Sequence, residues 1–299
     1  MKKIMNYYRP GLGESWLIMI GILLIAGAAV TAAATFVINW LFPNAVSLDN
    51  PGGWAIPVLY VIPFIVVIIY VILRASGKYK EAAWKGTPPY ANPPARIGQV
   101  PLIFYILLLP ILIVSMSVIL DPVTDWLEMP EFMKKMFEQM TETNVPTFIA
   151  VVVAAPLLEE WLLRSVALKG MLQHMAPWKA IVWSAVMFGV IHGNPWQAIP
   201  AFLMGCLFGW IYYRTRSYWT CVALHAINNG MSFLLVALLP QIATDTSLRQ
   251  LVGNQSFFIT FGLSVTTLGL SLFYLYKNLA PAPDLELSDE YQQPISPGL

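Results

Sequence analysis

Apolar residues gather along this chain into eight runs, at roughly 16–42, 55–74, 101–120, 147–168, 178–194, 197–213, 218–239 and 257–276. Each lies near the ~20 residues an α-helix needs to cross the hydrocarbon core of a bilayer. The pattern predicts an all-α fold, a polytopic membrane helix bundle of about eight transmembrane helices. Basic residues fall on one side of that arrangement. Lys2, Lys3 and Arg9 precede the first run, and Arg74, Lys78, Lys80, Lys85 and Arg96 lie between the second and third. Lys169 and Lys179 flank the turn after the fourth, Arg214 and Arg216 follow the sixth, and Lys277 follows the eighth. Cytoplasmic loops carry the excess of Lys and Arg, so both termini are expected in the cytoplasm. In the opposite loop, 121–146, Lys134 and Lys135 are outnumbered by Asp121, Asp125, Glu128, Glu131, Glu138 and Glu142.

The connections divide the chain further. Residues 1–146 hold three transmembrane helices, with a Pro-rich cytoplasmic loop at 75–96 read as an irregular spacer, or as a partner motif. Trp126, Met129, Met133, Met136, Phe137 and Met140 recur at helical spacing with charges between them. They predict an amphipathic helix on the outer membrane face, or a solvated loop helix. Residues 147–239 form the core, 240–279 the last transmembrane helix, and 280–299 an acidic, proline-bearing tail expected to be disordered. Met-Lys-Lys at the start resembles the basic region of a signal peptide. The run from Trp16 to Phe42 is too long for such a peptide, so an uncleaved first span is expected.

Composition agrees with the pattern. The chain has 299 residues, 58% of them hydrophobic and 11% charged. Soluble domains carry about 25% charged residues, so a globular soluble protein is excluded. Net charge is +1 with no large basic cluster, which gives no basis for nucleic-acid binding. Cys206 and Cys221 lie in apolar runs without metal-ligand spacing and read as free buried thiols.

Against this background Pro156-Leu-Leu-Glu159-Glu160-Trp-Leu-Leu-Arg164 stands out. Ionisable groups at membrane depth cost about 2.5–3.5 kcal/mol each on insertion scales, so they are rare there. Glu160 and Arg164 are one helical turn apart and pair. Glu159, rotated by about 100°, has no local partner. By itself the segment admits a catalytic group or a structural ion cluster. Spans five and seven add Phe188-Gly-Val-Ile-His192-Gly-Asn-Pro195 and His225-Ala-Ile-Asn228-Asn229-Gly. Polar groups on three spans avoid lipid by facing the bundle interior, where they converge. His225 and Asn229 share a face, either as donors toward an oxyanion or with Asn229 as an interhelical hydrogen bond. Phe188 shares a face with His192 and can fix its rotamer, or simply pack. His174, in the turn after span four, reads as interfacial. Pro156 should kink span four, and Gly193-Asn194-Pro195 breaks span five. Ala201, Gly205 and Gly209 form a small-residue stripe for close helix approach. Depth counted along the helices fits less well. Glu159 lies ~15 Å and His225 ~11 Å from the cytoplasmic flanks, but His192 lies ~20 Å from Lys179. The three meet only if span five is tilted or begins below the surface.

Glu159-Glu160-x-x-x-Arg164, Phe188-x-x-x-His192 and His225-x-x-x-Asn229, in this order inside apolar helices, resemble the three motifs of the CPBP intramembrane proteases. That family includes CaaX-processing endopeptidases and bacterial bacteriocin-processing or self-immunity homologues. The resemblance covers about 159–229. It implies a helical endopeptidase of the bacterial cell membrane, acting on a membrane-associated protein or peptide. Carried over, Glu159 is the general base, and His192 positions the water or shares its proton. His225 and Asn229 polarise the scissile carbonyl, with Glu160, Arg164 and Phe188 in support. A metal-free site is favoured. The alternative is zinc held by Glu159, His192 and His225, although the His-Glu-x-x-His helix of common zinc proteases is missing. Two other functions compete: a non-catalytic scaffold or immunity protein of the same fold, and an ion-coupled transporter. The intact motifs argue against the first, and the lack of an internal repeat argues against the second.

Overall fold

Helices make up all the regular structure among the described residues of the computed structural model, which are 2–42, 46, 53–90, 92–127, 129–134, 143–239 and 246–280. The eight apolar runs become eight helices: α1 (Leu12–Leu41), α2 (Ala55–Lys85), α3 (Leu102–Trp126), α4 (Val145–Met171), α5 (Pro177–Val190), α6 (Pro195–Thr215), α7 (Tyr218–Leu238) and α8 (Asn254–Asn278). The all-α membrane bundle is thus borne out, but the eight runs are not equivalent. Six of the helices are long and apolar enough to cross a bilayer, and α5 and α6 are not among them. α5 has 14 residues and so a length of about 21 Å, short of the hydrocarbon core. Large apolar side chains such as Ile25, Phe36, Leu73, Ile103, Phe258 and Leu270 are exposed on the long helices. Lipid, not water, suits such a surface. α4 is the most enclosed of the six, with 44% of its most apolar window buried against 17–33% elsewhere.

α2 does not stop where its apolar run ends. It continues to Lys85, so the irregular spacer expected from residue 75 begins only at Gly86, whose φ of +66° ends the helix. Glu81 explains the extension, accepting from Lys78 at 3.0 Å and Lys85 at 2.8 Å along one face. Beyond it the chain ties together the ends of several helices. Tyr90 N–H donates to Asn6 O, Arg96 N–H to Thr215 O and Gln99 N–H to Asn278 O, each at 2.9 Å. On the opposite side, Glu131–Lys134 are helical with Met133 buried. Most of the amphipathic helix expected over 126–142, and the tail 281–299, lie outside the described residues.

Pro156 lies in the short stretch Ala155–Glu160 of α4, with π-helical stretches at Ile149–Ala154 before it and Trp161–Leu168 after it. Proline supplies no N–H to the preceding turn, and a wider turn absorbs the mismatch. α5 and α6 form a tight hairpin. Gly193 at φ +68° makes the turn, and Asn194 caps α6 by accepting from Gln197 N–H at 3.0 Å. The expected small-residue stripe faces α5. A methyl group on Gly205 would stand 3.1 Å from Ala185 and Phe188, and one on Gly209 3.1 Å from Ile181.

Candidate active site

The one-turn pair read from the sequence is present and fully enclosed. Arg164 Nε donates to Glu160 Oε2 at 2.8 Å, with both side chains at 0% exposure. Buried charges must be neutralised and hydrogen-bonded, and this pair recruits three more elements. Arg164 Nη1 donates to Ser184 Oγ on α5 at 2.8 Å, and Ser184 donates to Leu163 O at 3.2 Å. The guanidinium lies over the rings of Phe188 and Phe208, at 5.4 and 6.0 Å. Those faces meet the guanidinium whose Nη2 has no hydrogen-bond partner. Glu160 Oε1 is 3.1 Å from His225 Nδ1 on α7. An ionised carboxylate only accepts, so Nδ1 carries a proton. Nε2 of His225 is then an acceptor in the neutral ring and a donor only in the imidazolium.

Glu159 faces a different way, as the 100° rotation requires. Its Oε1 accepts from the Tyr60 hydroxyl on α2 at 2.5 Å. Its Oε2 is buried and bonded to no protein group. Together with Phe188, His192, His225 and Asn229 it lines a cavity of about 1050 Å³ whose walls are mostly apolar. This is the volume of a site for a substantial ligand. Glu160 and Arg164 do not line it; they stand behind His225.

His192 lies in the turn just past α5, and its Nδ1 is 2.8 Å from Phe188 O. A carbonyl only accepts, so Nδ1 holds a proton and the lone pair of the neutral ring is on Nε2. The Phe188 ring stands edge-on to both imidazoles, 5.3 Å from His192 and 5.3 Å from His225. Glu159, His192 and His225 line one cavity in spite of the unequal depths counted along their helices. Asn229 Nδ2 donates to Val151 O at 2.9 Å, in the first π-helical stretch of α4, and Oδ1 accepts from Asn228 at 3.1 Å. That is the interhelical bond; the second amide hydrogen is spare. His174 stays outside the cavity, its Nε2 3.0 Å from Arg9 O. Cys206 and Cys221 are free thiols, but only Cys221 is buried as expected; Cys206 is half-buried.

Two participants went unread in the sequence. Tyr60 gave no signal, because a tyrosine in an apolar run reads as an ordinary aromatic. Ser184 was a lone hydroxyl in span five. For the zinc alternative, no group of three or more His, Cys, Asp or Glu side chains among the described residues is placed to hold a metal ion.

Residues 141–231 match the model of a protein family described as Rce1-like, type II CAAX prenyl endopeptidase Rce1-like. The match begins just ahead of α4, ends within α7 and contains every motif residue above. No curated protein and no solved structure matches the chain. The expected family resemblance is borne out, and with the long apolar helices it supports an integral membrane protease.

Proposed function

We propose, for this member of the CPBP and Rce1-like CAAX protease family, hydrolysis of a peptide bond in a membrane-associated protein or peptide by water that Glu159 and His192 activate. The observation that carries this reading is the division of labour between the glutamates. Glu160 is spent on Arg164 and His225, whereas Glu159 lines the cavity and keeps a buried Oε2 without a protein partner. A carboxylate with one oxygen held by Tyr60 and the other without a partner is oriented as a general base.

The water oxygen attacks the scissile carbonyl carbon while its proton passes to Glu159 Oε2, with His192 Nε2 accepting from or orienting the same water. The carbonyl becomes an oxyanion. It is met by the Nε2–H of a protonated His225, whose charge Glu160 balances, and by the spare amide hydrogen of Asn229. The oxyanion then reforms the carbonyl, the C–N bond breaks, and the proton held by Glu159 goes to the leaving amine. No step requires a metal, and a metal-free glutamate mechanism is the reading adopted. The family description names prenylated CAAX substrates; for this chain only a membrane-associated polypeptide is inferred, because apolar walls suit a segment arriving from the bilayer. The basic flanks orient both termini toward the cytoplasm of a bacterial cell membrane.

The test is peptide release by the full-length protein reconstituted in liposomes, with membrane and secreted peptides of a deletion strain identifying substrates. Glu159→Gln and His192→Ala should fold, accumulate at normal levels and lose roughly 10²-fold or more in rate. Wild-type rates in both variants would refute the mechanism. Loss of activity on chelation with recovery on added zinc would replace it by the metal alternative, and full activity after chelation supports it.

A further inference from the structure

A second cavity, of about 560 Å³, lies away from the first, where the N-terminal segment, the α2–α3 connection, the end of α4 and the α6–α7 turn meet. Three cations line it: Arg9, Lys169 and Arg216. No acidic side chain is among its lining residues. Arg9 is 92% buried, the complement of its 8% exposure, and its Nη1 is spent on Met5 O and Tyr8 O at 2.7 and 2.8 Å. Its Nε and Nη2 are buried and unpartnered. The same two atoms of Arg216 are buried and unpartnered too. In a guanidinium, Nε–H and Nη2–H lie along one edge and point the same way, the edge that takes two oxygens of an oxyanion at once. Two such unpartnered edges belong to residues that line one cavity, together with Lys169, Ser165 and Ser217.

Left to themselves these charges repel. Burial holds the Arg9 guanidinium below its ordinary pKa, and the Arg216 charge pushes the same way. Burial acts likewise on Arg216. Arg216 also adopts φ +54° to close α6, so its placement is built into the turn. A buried cluster of like charge without a counter-charge is costly unless an anion neutralises it.

We propose that this cavity binds a phosphate-type oxyanion, carried on the headgroup of an anionic phospholipid or free in solution. The two non-bridging oxygens of a phosphodiester carry up to about three lone pairs each, enough for two arginine edges and a lysine, where a carboxylate offers about four acceptor sites. The cavity stands at the basic end of the bundle, and Trp219 on its wall is 68% exposed, as an interfacial anchor would be. Both features favour the lipid as the source. Occupancy would tie Asn92, which accepts from Lys169 at 2.5 Å, to the ends of α4 and α7. The binding does not depend on the proteolytic reading and is measured without substrate.

The test uses the full-length protein in neutral detergent. Retention of dioleoylphosphatidylglycerol against dioleoylphosphatidylcholine is read by native mass spectrometry, and the thermal midpoint is read with and without inorganic phosphate. Wild type should retain the anionic lipid selectively. Arg216→Gln should weaken retention about tenfold, and Arg216→Lys, which keeps charge but loses the two-oxygen edge, should weaken it by an intermediate factor. Arg216 makes no hydrogen bond to the chain through Nε or Nη2, so these variants should fold, with gel filtration as the check; Arg9→Gln gives a second, independent reading. Equal retention of both lipids together with no effect of phosphate on the midpoint overturns the proposal, as does lipid retention by Arg216→Gln equal to wild type. A midpoint raised by inorganic phosphate, without selective lipid retention, supports the site and assigns it a soluble ligand. Displacement of lipid by acetate as effectively as by phosphate overturns the phosphate class.

Discussion

Tyr60 on α2 and Glu159 on α4 share a 2.5 Å hydrogen bond, the hydroxyl donating to Oε1. The bond brings a helix outside the matched family segment to the carboxylate that faces the cavity. It leaves Oε2 as the oxygen of this carboxylate without a protein partner. Tyr60→Phe keeps the ring, its packing on Phe64 at 5.6 Å included, and removes one charge-assisted bond, worth ~1.5–3 kcal/mol. The expected result is kcat lower by roughly tenfold to a hundredfold with KM little changed, since the contact is to the base and not to substrate. Steady-state kinetics in liposomes measure the split. A rise in KM at constant kcat would make Tyr60 a wall of the binding cavity and nothing more.

The enclosed pair predicts a stability effect that the catalytic reading of Glu159 does not. Arg164→Met strands the Glu160 carboxylate at 0% exposure and should lower stability by ~3–5 kcal/mol. Arg164→Lys keeps a charge but loses the planar fork whose separate nitrogens reach Glu160 and Ser184, and should fall between. Glu159→Gln, by contrast, should change stability by less than either while removing activity. Thermal unfolding of the three variants in one detergent orders them. Glu159→Gln as the most destabilised would return the first glutamate to a structural role.

Much of this was legible in the chain, and the shortfalls have physical causes. Apolar runs and charge placement gave eight helices because lipid demands apolar length and tolerates few charges. They did not separate the six helices long and apolar enough to cross from α5 and α6, because hydropathy registers apolar character whether a helix meets lipid or, like these two, packs on a partner through Gly205 and Gly209. Helical spacing located the Glu160–Arg164 pair and the Phe188–His192 pair, since each spans one turn. Spacing within a helix carries no information on which groups of other helices arrive, so Tyr60 and Ser184 appeared only in three dimensions. The continuation of α2 to Lys85 was written in the Lys78–Glu81–Lys85 spacing, but the prolines that follow outweighed it.

Glu160 and His225 should act as one unit. Glu160 Oε1 lies 3.1 Å from Nδ1 of His225, which lines the cavity, and would support the cationic ring of the proposed mechanism. Glu160→Gln and His225→Gln should each slow peptide release, and the double variant should be little slower than the worse single one. A coupling of ~0.5–3 kcal/mol between contacting residues is the expectation. A double-mutant cycle on kcat/KM measures it; additive losses would separate the two roles.

The small-residue stripe of α6 should reach the reaction through Phe188. A methyl group on Gly205 would sit 3.1 Å from Phe188 Cδ1 and 3.1 Å from the Ala185 backbone, so the ring or the hairpin must give. That ring is the surface against which both imidazoles stand at 5.3 Å. Overpacking of this kind costs ~1–3 kcal/mol of stability. Small displacements of catalytic groups cost rate out of proportion to stability, since reacting atoms must be held to within a fraction of an ångström. Gly205→Ala should therefore lower the thermal midpoint modestly and kcat by tenfold or more on the same scale of misplacement. Gly262→Ala, on α8 with open space around the added carbon, should leave both near wild type. Measured side by side in liposomes, equal kcat in the two glycine variants would show that the stripe only packs α5 against α6 and does not set the histidine geometry.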